Sequence, residues 1–195
     1  MQKSGITVTS LGDLSFLERI PLNLLLEPIE FIFADHCRQR DMCAALKVVA
    51  SAEHSDETGP TEDIAHTARM VLQCLTVDLP LHFADEECDL FPRLMKASTP
   101  RDKTDEIVRL LRQEHKRDKD LVMGVMPGLE TLANKQPLKD VSRFRTAARI
   151  FSETHLAHIN WENAVILELA RIQLSAEEQA DMAKSLAKRR KIELP

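Results

Sequence analysis

The chain has 195 residues, a length that suits one domain with a buried core of ordinary size. Hydrophobic residues make up 44% and charged residues 29%, proportions typical of a globular protein, and the formal net charge of -5 gives no basic field to attract nucleic acid or an anionic membrane. We therefore expect neither as a partner. Five glycines and no tyrosine argue against a sheet-rich protein, so the composition favours an all-α fold.

The N-terminal stretch MQKSGITVTSLGDLSF lacks the apolar core of a signal peptide, and no run of about 18 apolar residues follows it. We therefore expect a cytoplasmic protein without a membrane span. The four cysteines have no C-x-x-C spacing, which predicts neither a zinc knuckle nor a disulfide framework. They are Cys37, Cys43, Cys74 and Cys88.

Two helices are predicted in the first half of the chain. The first covers about residues 28–52 and begins at Pro28, whose fixed φ suits an opening turn. The second covers about residues 61–96, with Thr61 as its N-cap. Pro80 lies inside the second helix and predicts an irregularity there, because proline has no amide hydrogen to donate.

Two more helices are predicted in the second half. The third covers about residues 99–134, with Thr99 as its cap, and its apolar face consists of Val108, Leu111, Val122, Val125 and Leu129. The fourth covers about residues 138–172. Its face recurs at spacings of 4, 3, 4, 3 and 4 and includes three polar residues where a core is expected: Phe151, His155, His158, Glu162, Val165 and Leu169.

A short final helix is predicted from the capping-box sequence formed by Ser175 and Glu178. It ends in the basic run KRRK, which is typical of a solvated helix end whose charge complements the helix dipole. We therefore divide the chain into a lead segment over residues 1–24, a four-helix bundle over 25–172 and an accessory helix over 173–195.

Two copies of His-x-x-x-Glu are the most specific pattern in the chain. HFADE holds His82 and Glu86, and HINWE holds His158 and Glu162. Residues four apart lie on one helix face, so each pair directs an imidazole and a carboxylate to the same point. Such groups can be buried in a core only if they compensate one another or bind a cation. The pattern therefore predicts a metal site inside a helical bundle.

Two further histidines, His36 and His115, complete an ordered set in which each predicted long helix carries one element. The chain order is His, His-x-x-x-Glu, His, His-x-x-x-Glu. With the stretches DLPLHFADEECDLFPRL and HINWENAVILELA, this order resembles the hemerythrin-like family, also called the HHE cation-binding domain, over roughly residues 25–172. The resemblance implies an up-down-up-down four-helix bundle.

The resemblance also implies the cofactor and its ligands. One iron ion would be bound by His36 and His82, and the other by His115 and His158. Glu86 and Glu162 would bridge the two ions. An oxo or hydroxo bridge would complete the diiron centre and leave a position open for oxygen, peroxide or nitric oxide. The mixture of imidazole and carboxylate donors leaves manganese and zinc as alternatives.

Other polar residues near the motif have more than one interpretation. Lys119 stands where the family's oxygen carriers have a further histidine. His155 precedes His158 by three residues and is either a fifth histidine ligand or a hydrogen-bond partner of the site. His54 and His66 fall outside the ligand pattern. The neighbouring acids are interpreted as solvated charges or as hydrogen-bond partners of the ligands: Asp85, Glu87, Glu114 and Asp118.

Three functions follow from these patterns. The leading hypothesis is a non-heme diiron protein that binds or senses oxygen, iron or redox state. The second is a redox enzyme that acts on peroxide or nitric oxide, or an iron donor in iron–sulfur repair, although the repair proteins carry an N-terminal cysteine-bearing domain and no cysteine precedes Cys37 here. The third is a metal-free helical interaction module. No flavin, heme or dinucleotide motif is visible, so an enzyme would take its electrons from another protein.

Overall fold

The computed structural model describes residues 20–53, 59–99 and 101–194, so most of the predicted lead segment lies outside the described residues. A 3₁₀ turn at Leu22–Leu26 precedes the first long helix, α1, which spans Pro28–Ser51. The predicted start at Pro28 is confirmed. Helix α1 ends within one residue of the predicted end.

The second helix, α2, is continuous over residues 62–97 but contains two π-helical turns. Its first turn is capped as predicted, because the Thr61 hydroxyl accepts a hydrogen bond from the Ile64 amide at 3.4 Å. Two of its five successive segments are π-helical, namely the second and the fourth. The segments are Glu62–Gln73, Cys74–Asp78, Leu79–Asp85, Glu86–Leu90 and Phe91–Ala97.

Each π turn of α2 is followed directly by a proline in the next segment, Pro80 after the first turn and Pro92 after the second. A proline cannot donate the usual amide hydrogen bond, and a wider turn lets the helix continue past it. The irregularity predicted at Pro80 therefore takes the form of a π turn. The second π turn was not predicted, and it begins at Glu86, the last residue of the first His-x-x-x-Glu motif.

The third helix, α3, spans Thr104–Ala133 and starts later than predicted. The proposed cap at Thr99 is wrong. Asp102 accepts hydrogen bonds from the Thr99 amide at 2.7 Å and from its hydroxyl at 3.0 Å, which closes a separate turn before the helix. Lys103, in a left-handed conformation with φ of 52°, then leads into the first helical turn. The predicted apolar face of α3 is buried throughout.

The fourth helix, α4, spans Val141–Gln173, and Asp140 caps it by accepting a hydrogen bond from the Arg143 amide at 2.8 Å. The predicted face of α4 is only partly correct. Its first four members are buried, but Val165 and Leu169 are partly exposed, and Ile166 and Ala170 take the buried positions. A face assigned by alternating steps of three and four drifts away from a helix of 3.6 residues per turn.

The four long helices form an antiparallel ring, in which α1 packs against α2 and α4, and α3 packs against the same two helices. Polar contacts at both ends of α1 and α4 show that these two helices run in opposite directions. Arg145, near the start of α4, donates to the Ala50 carbonyl near the end of α1 at 2.8 Å, and Arg171, near the end of α4, donates to Glu30 near the start of α1 at 2.8 Å. The predicted all-α, up-down-up-down four-helix bundle is confirmed.

A layer of buried polar residues divides the core of the bundle in two. One apolar cluster contains Met42, Leu46, Val125, Leu129 and Phe151 among others. The other contains Ile32, Leu90, Phe91, Leu111 and Leu167 among others. In each long helix the polar positions lie at or next to the boundary between the two clusters, so all four helices present polar side chains at the same height.

The predicted accessory helix, α5, spans Ala176–Arg190, and its capping box at Ser175 and Glu178 is confirmed. Its basic end is not the solvated tail that the sequence suggested. Arg189 and Arg190 donate to the carboxylate of Asp85, which is 1% exposed, and Arg189 also donates to Asp89. Helix α5 therefore holds the part of α2 that carries Glu86.

Candidate metal centre

The polar layer holds the six side chains predicted as ligands, and each long helix contributes at least one. All six are at most 3% exposed. The structure gathers them into two groups of four, and within each group all the donor atoms lie within 4.8 Å of one another. The first group is His36, His82, Glu86 and Glu162, and the second is Glu86, His115, His158 and Glu162.

Glu86 lies between the two groups and approaches three imidazoles. Its Oε2 atom is 3.3 Å from Nε2 of His82 on the preceding turn of α2 and 3.2 Å from Nε2 of His115 on α3. Its Oε1 atom is 3.5 Å from Nε2 of His36 on α1. One carboxylate thus faces histidines of both groups, which is the position that a bridging ligand requires.

Glu162 has the matching position on the opposite side of the layer. Its Oε2 atom is 3.2 Å from Nε2 of His158 and 3.5 Å from Nε2 of His36. Its Oε1 atom is 3.8 Å from Nε2 of His115. The two glutamates therefore lie between the same two sets of histidines, one from α2 and one from α4.

The inward-facing atoms of this cluster have no hydrogen-bond partners among the described residues. These atoms are the Nε2 atoms of the four histidines and both carboxylate oxygens of each glutamate: His36, His82, His115, His158, Glu86 and Glu162. Buried polar atoms without partners are costly, and eight in one space are far outside ordinary packing. Imidazole nitrogens and carboxylate oxygens are donors that suit transition metals, so the residues fit a pair of cations.

The charges of the cluster also favour the binding of cations. Burial alone would lower the pKa of the His115 imidazole, but Glu162 and Glu86 raise it to about 10. Burial and Glu86 raise the pKa of the Glu162 carboxyl, but His158 and His115 lower it to about 2. His158 resembles His115, since Glu162 overcomes the effect of burial and raises its pKa to about 9. The carboxylates are therefore ionised and attract positive charge, whether from protons or from metal ions.

The outward-facing nitrogens of His36 and His82 are held by side chains of neighbouring helices. Nδ1 of His36 lies 2.6 Å from Oδ1 of Asn163 on α4, and Nδ1 of His82 lies 3.2 Å from Oδ2 of Asp35 on α1. A partner on Nδ1 fixes the ring and leaves Nε2 directed at the metal position. The sequence did not identify Asp35 or Asn163, because neither has a spacing that distinguishes it.

The other two histidines, His115 and His158, have carboxylate partners. The sequence analysis interpreted these acids as solvated charges or as hydrogen-bond partners of the ligands. Nδ1 of His115 lies 2.8 Å from Oε1 of Glu87 on α2, and Nδ1 of His158 lies 2.8 Å from Oε2 of Glu114 on α3. Lys119 is 3.5 Å from the same oxygen of Glu87. All four candidate ligand histidines are therefore oriented by a second helix.

His155 is buried beside the cluster but belongs to neither group. Its Nδ1 lies 2.7 Å from Asp118 and its Nε2 lies 2.7 Å from Gln39, so both ring nitrogens already have partners. Gln39 in turn donates to Asp35 at 3.1 Å, which links His155 to the partner of a ligand histidine. Of the two interpretations of His155, the geometry favours the hydrogen-bond partner. Burial lowers its pKa although Asp118 opposes this.

The remaining histidines lie away from this centre or outside the described residues. His66 is exposed on the outer face of α2, and His54 lies outside the described residues. The four cysteines are free thiols, two of them exposed and two buried. Among the described helices, none combines the length and the apolar character needed to cross a bilayer.

Comparison with known proteins agrees with this geometry. The family model of the hemerythrin HHE cation-binding domain matches residues 27–170, which include the first three helices of the bundle and all but the last three residues of α4. An uncharacterised protein of Haemophilus influenzae is 26% identical over 166 residues, covering 85% of this chain and 91% of that protein. The match extends over the bundle and all six candidate ligands, and the chain therefore belongs to the hemerythrin HHE cation-binding family.

Proposed function

We propose that the protein binds two iron ions through the six clustered residues and uses the centre to bind or sense oxygen, iron or redox state. The observation that carries this proposal is the sharing of Glu86 and Glu162 by both donor groups. Two separate groups would suit two independent ions, whereas shared carboxylates suit a bridged pair. Manganese and zinc are the alternatives that the same donors accept.

Each residue has a distinct role in this centre. His36 and His82 would hold one ion and His115 and His158 the other, and the two glutamates shared by both groups would neutralise part of the charge of the ions. Iron at such a site supplies reversible electron transfer and a coordination position for a small ligand such as oxygen or peroxide. The outer partners keep each imidazole in the orientation in which Nε2 faces the ion.

The surroundings favour binding or sensing over the breakdown of peroxide or nitric oxide. The Phe83 ring stacks on His115 at 4.2 Å between centroids, and Phe91 lies on the same imidazole at 5.8 Å. His155 would be the nearest further imidazole that could donate a proton, but both of its nitrogens have hydrogen-bond partners and burial lowers its pKa. Reduction of a bound ligand needs protons, and apolar walls restrict their supply. We further propose that the protein works in the cytoplasm and that a protein donor supplies any electrons.

Metal analysis of anaerobically purified protein tests the proposed ligands. We expect two iron ions per chain in the wild type and loss of most of the metal in His115→Ala and Glu162→Ala, because each change removes one buried donor. His66→Ala is the matched control, since this histidine is exposed on α2 and should leave the metal content unchanged. Wild-type metal content in both ligand variants would reject the assignment.

Absorption spectra of the loaded protein separate the two kinds of function. Bands that appear in air and disappear when oxygen is removed would support reversible binding or sensing. Sustained consumption of peroxide or nitric oxide over many turnovers, with an added electron donor, would instead support the redox enzyme. The same spectra recorded for His155→Gln show whether His155 affects the small molecule bound at the metal centre. The absorption bands should change little if His155 only supports the packing of the helices.

A further inference from the structure

The two histidine pairs differ in how their outer nitrogens are held. We call His36 with His82 the inner position, and His115 with His158 the outer position. The partners of the inner position are Asp35, whose side chain is 6% exposed, and the half-buried Asn163. The partners of the outer position are more accessible carboxylates, because the side chain of Glu87 is 30% exposed and that of Glu114 is 49% exposed.

The inner position is also fixed by more neighbours. Asp35 accepts hydrogen bonds from Gln39 at 3.1 Å and from Arg38 at 3.1 Å. Gln39 continues the chain to His155 and Asp118, so the network extends across all four long helices. Moving the His82 ring outward would disrupt this buried network, whereas moving His158 outward would break one contact with a half-exposed glutamate.

The charges near the two positions differ as well. A cavity of about 450 Å³ approaches Asp35, but its lining includes the guanidinium groups of Arg38 and Arg190. Arg38 also donates to Asp78 at 3.3 Å, so two carboxylates, Asp35 and Asp78, share this opening with the two guanidinium groups. These opposite charges offset one another, so a metal cation meets no net electrostatic attraction there. At the outer position Glu87 is paired with Lys119 at 3.5 Å, so the solvent-facing carboxylate that attracts a cation there is that of Glu114, which contacts His158.

We propose that the two metal positions are inequivalent, and that metal ions enter and leave through the outer position past Glu87 and Glu114. The inner position retains its ion. This inference rests on the proposed dinuclear centre and adds the order in which its ions exchange. Glu114 is the main positioning residue of this route, because it is the more exposed of the two acids and contacts His158 directly.

Removal of metal by a chelator tests the proposal. Protein loaded anaerobically with two iron(II) ions is mixed with excess of a coloured iron(II) chelator, and the release is followed by absorbance. We expect two phases of one ion each. Glu114→Gln should accelerate only the fast phase, by roughly tenfold, because loss of a carboxylate that supports a ligand histidine typically weakens metal binding 10–100-fold. Asp35→Asn should accelerate only the slow phase.

Glu153→Gln is the control, since Glu153 is an exposed acid of α4 that is paired with Arg149 away from the centre. It should leave both phases unchanged. Release of both ions in one phase, or acceleration of the slow phase by Glu114→Gln, would overturn the inequivalence while leaving the dinuclear centre intact. Failure of the wild type to bind two ions would reject the centre and the exchange order together.

Discussion

The metal-free protein should lose stability as the pH rises, because protons then provide the positive charge that the buried carboxylates attract. The pKa of His158 is raised from 6.5 to about 9, and that of His115 from 6.5 to about 10. Both groups take up protons more readily in the folded state than in the unfolded state. Their contribution is therefore fully present below about pH 6.5 and is lost as the pH rises through 9 and 10.

The size of the effect follows from the same shifts. One pKa unit corresponds to about 1.4 kcal/mol, so the shift of His158 alone represents roughly 3 kcal/mol. The shift of His115 is not simply added, because both imidazoles interact with the same glutamates. We expect a total loss on the order of 3–5 kcal/mol between pH 6 and pH 10, a large part of the stability of an ordinary domain.

Urea denaturation followed by circular dichroism measures this loss in metal-stripped and metal-loaded protein. The loaded protein should depend less on pH over this range, because its histidines then bind cations instead of protons. Glu162→Gln removes a carboxylate that raises both pKa values and should reduce the pH dependence of the metal-free form. Equal stability of the stripped wild type at pH 6 and pH 10 would refute the reasoning.

Two predictions concern the framework, and thermal or urea denaturation checks both. Gly128→Ala should destabilise by roughly 1–3 kcal/mol, because the added Cβ would overlap the Phe144 ring, whereas Gly124→Ala, with open space at this point, should be neutral or stabilising. Equal effects at the two glycines would contradict this. Arg190→Ala should lower the free energy of unfolding by about 2 kcal/mol, because the buried Asp85 carboxylate would keep only one of its two arginine partners, Arg189. An unchanged midpoint would show that this ion pair does not stabilise the fold.

The sequence predicted the elements that depend on local periodicity. The four long helices, the cap at Thr61 and the capping box at Ser175 follow from short-range patterns and are present in the structure. Thr99 is the exception, because Asp102 is close enough in the chain to take over its hydrogen bonds. Competition between neighbouring polar residues is therefore the reason for the misplaced start of α3.

The composition of the candidate site was also visible in the sequence. His82 with Glu86 and His158 with Glu162 are each four residues apart, and the helix itself brings the members of a pair to one face. His36 and His115 were identified by their order in the chain and by the family resemblance. A single helix thus specifies which donors point inward.

The tertiary structure alone decided which side chains support those donors. Asp35 and Asn163 contact histidines of other helices, and nothing in their own spacing distinguishes them. The pairing of Asp85 with Arg190 joins residues 105 positions apart. Such contacts depend on the rotation and height at which the helices pack. The sequence by itself therefore determined the four helices and their candidate ligands. Only packing decided that one histidine pair is supported by Asp35 and Asn163 and the other by the more exposed acids Glu87 and Glu114.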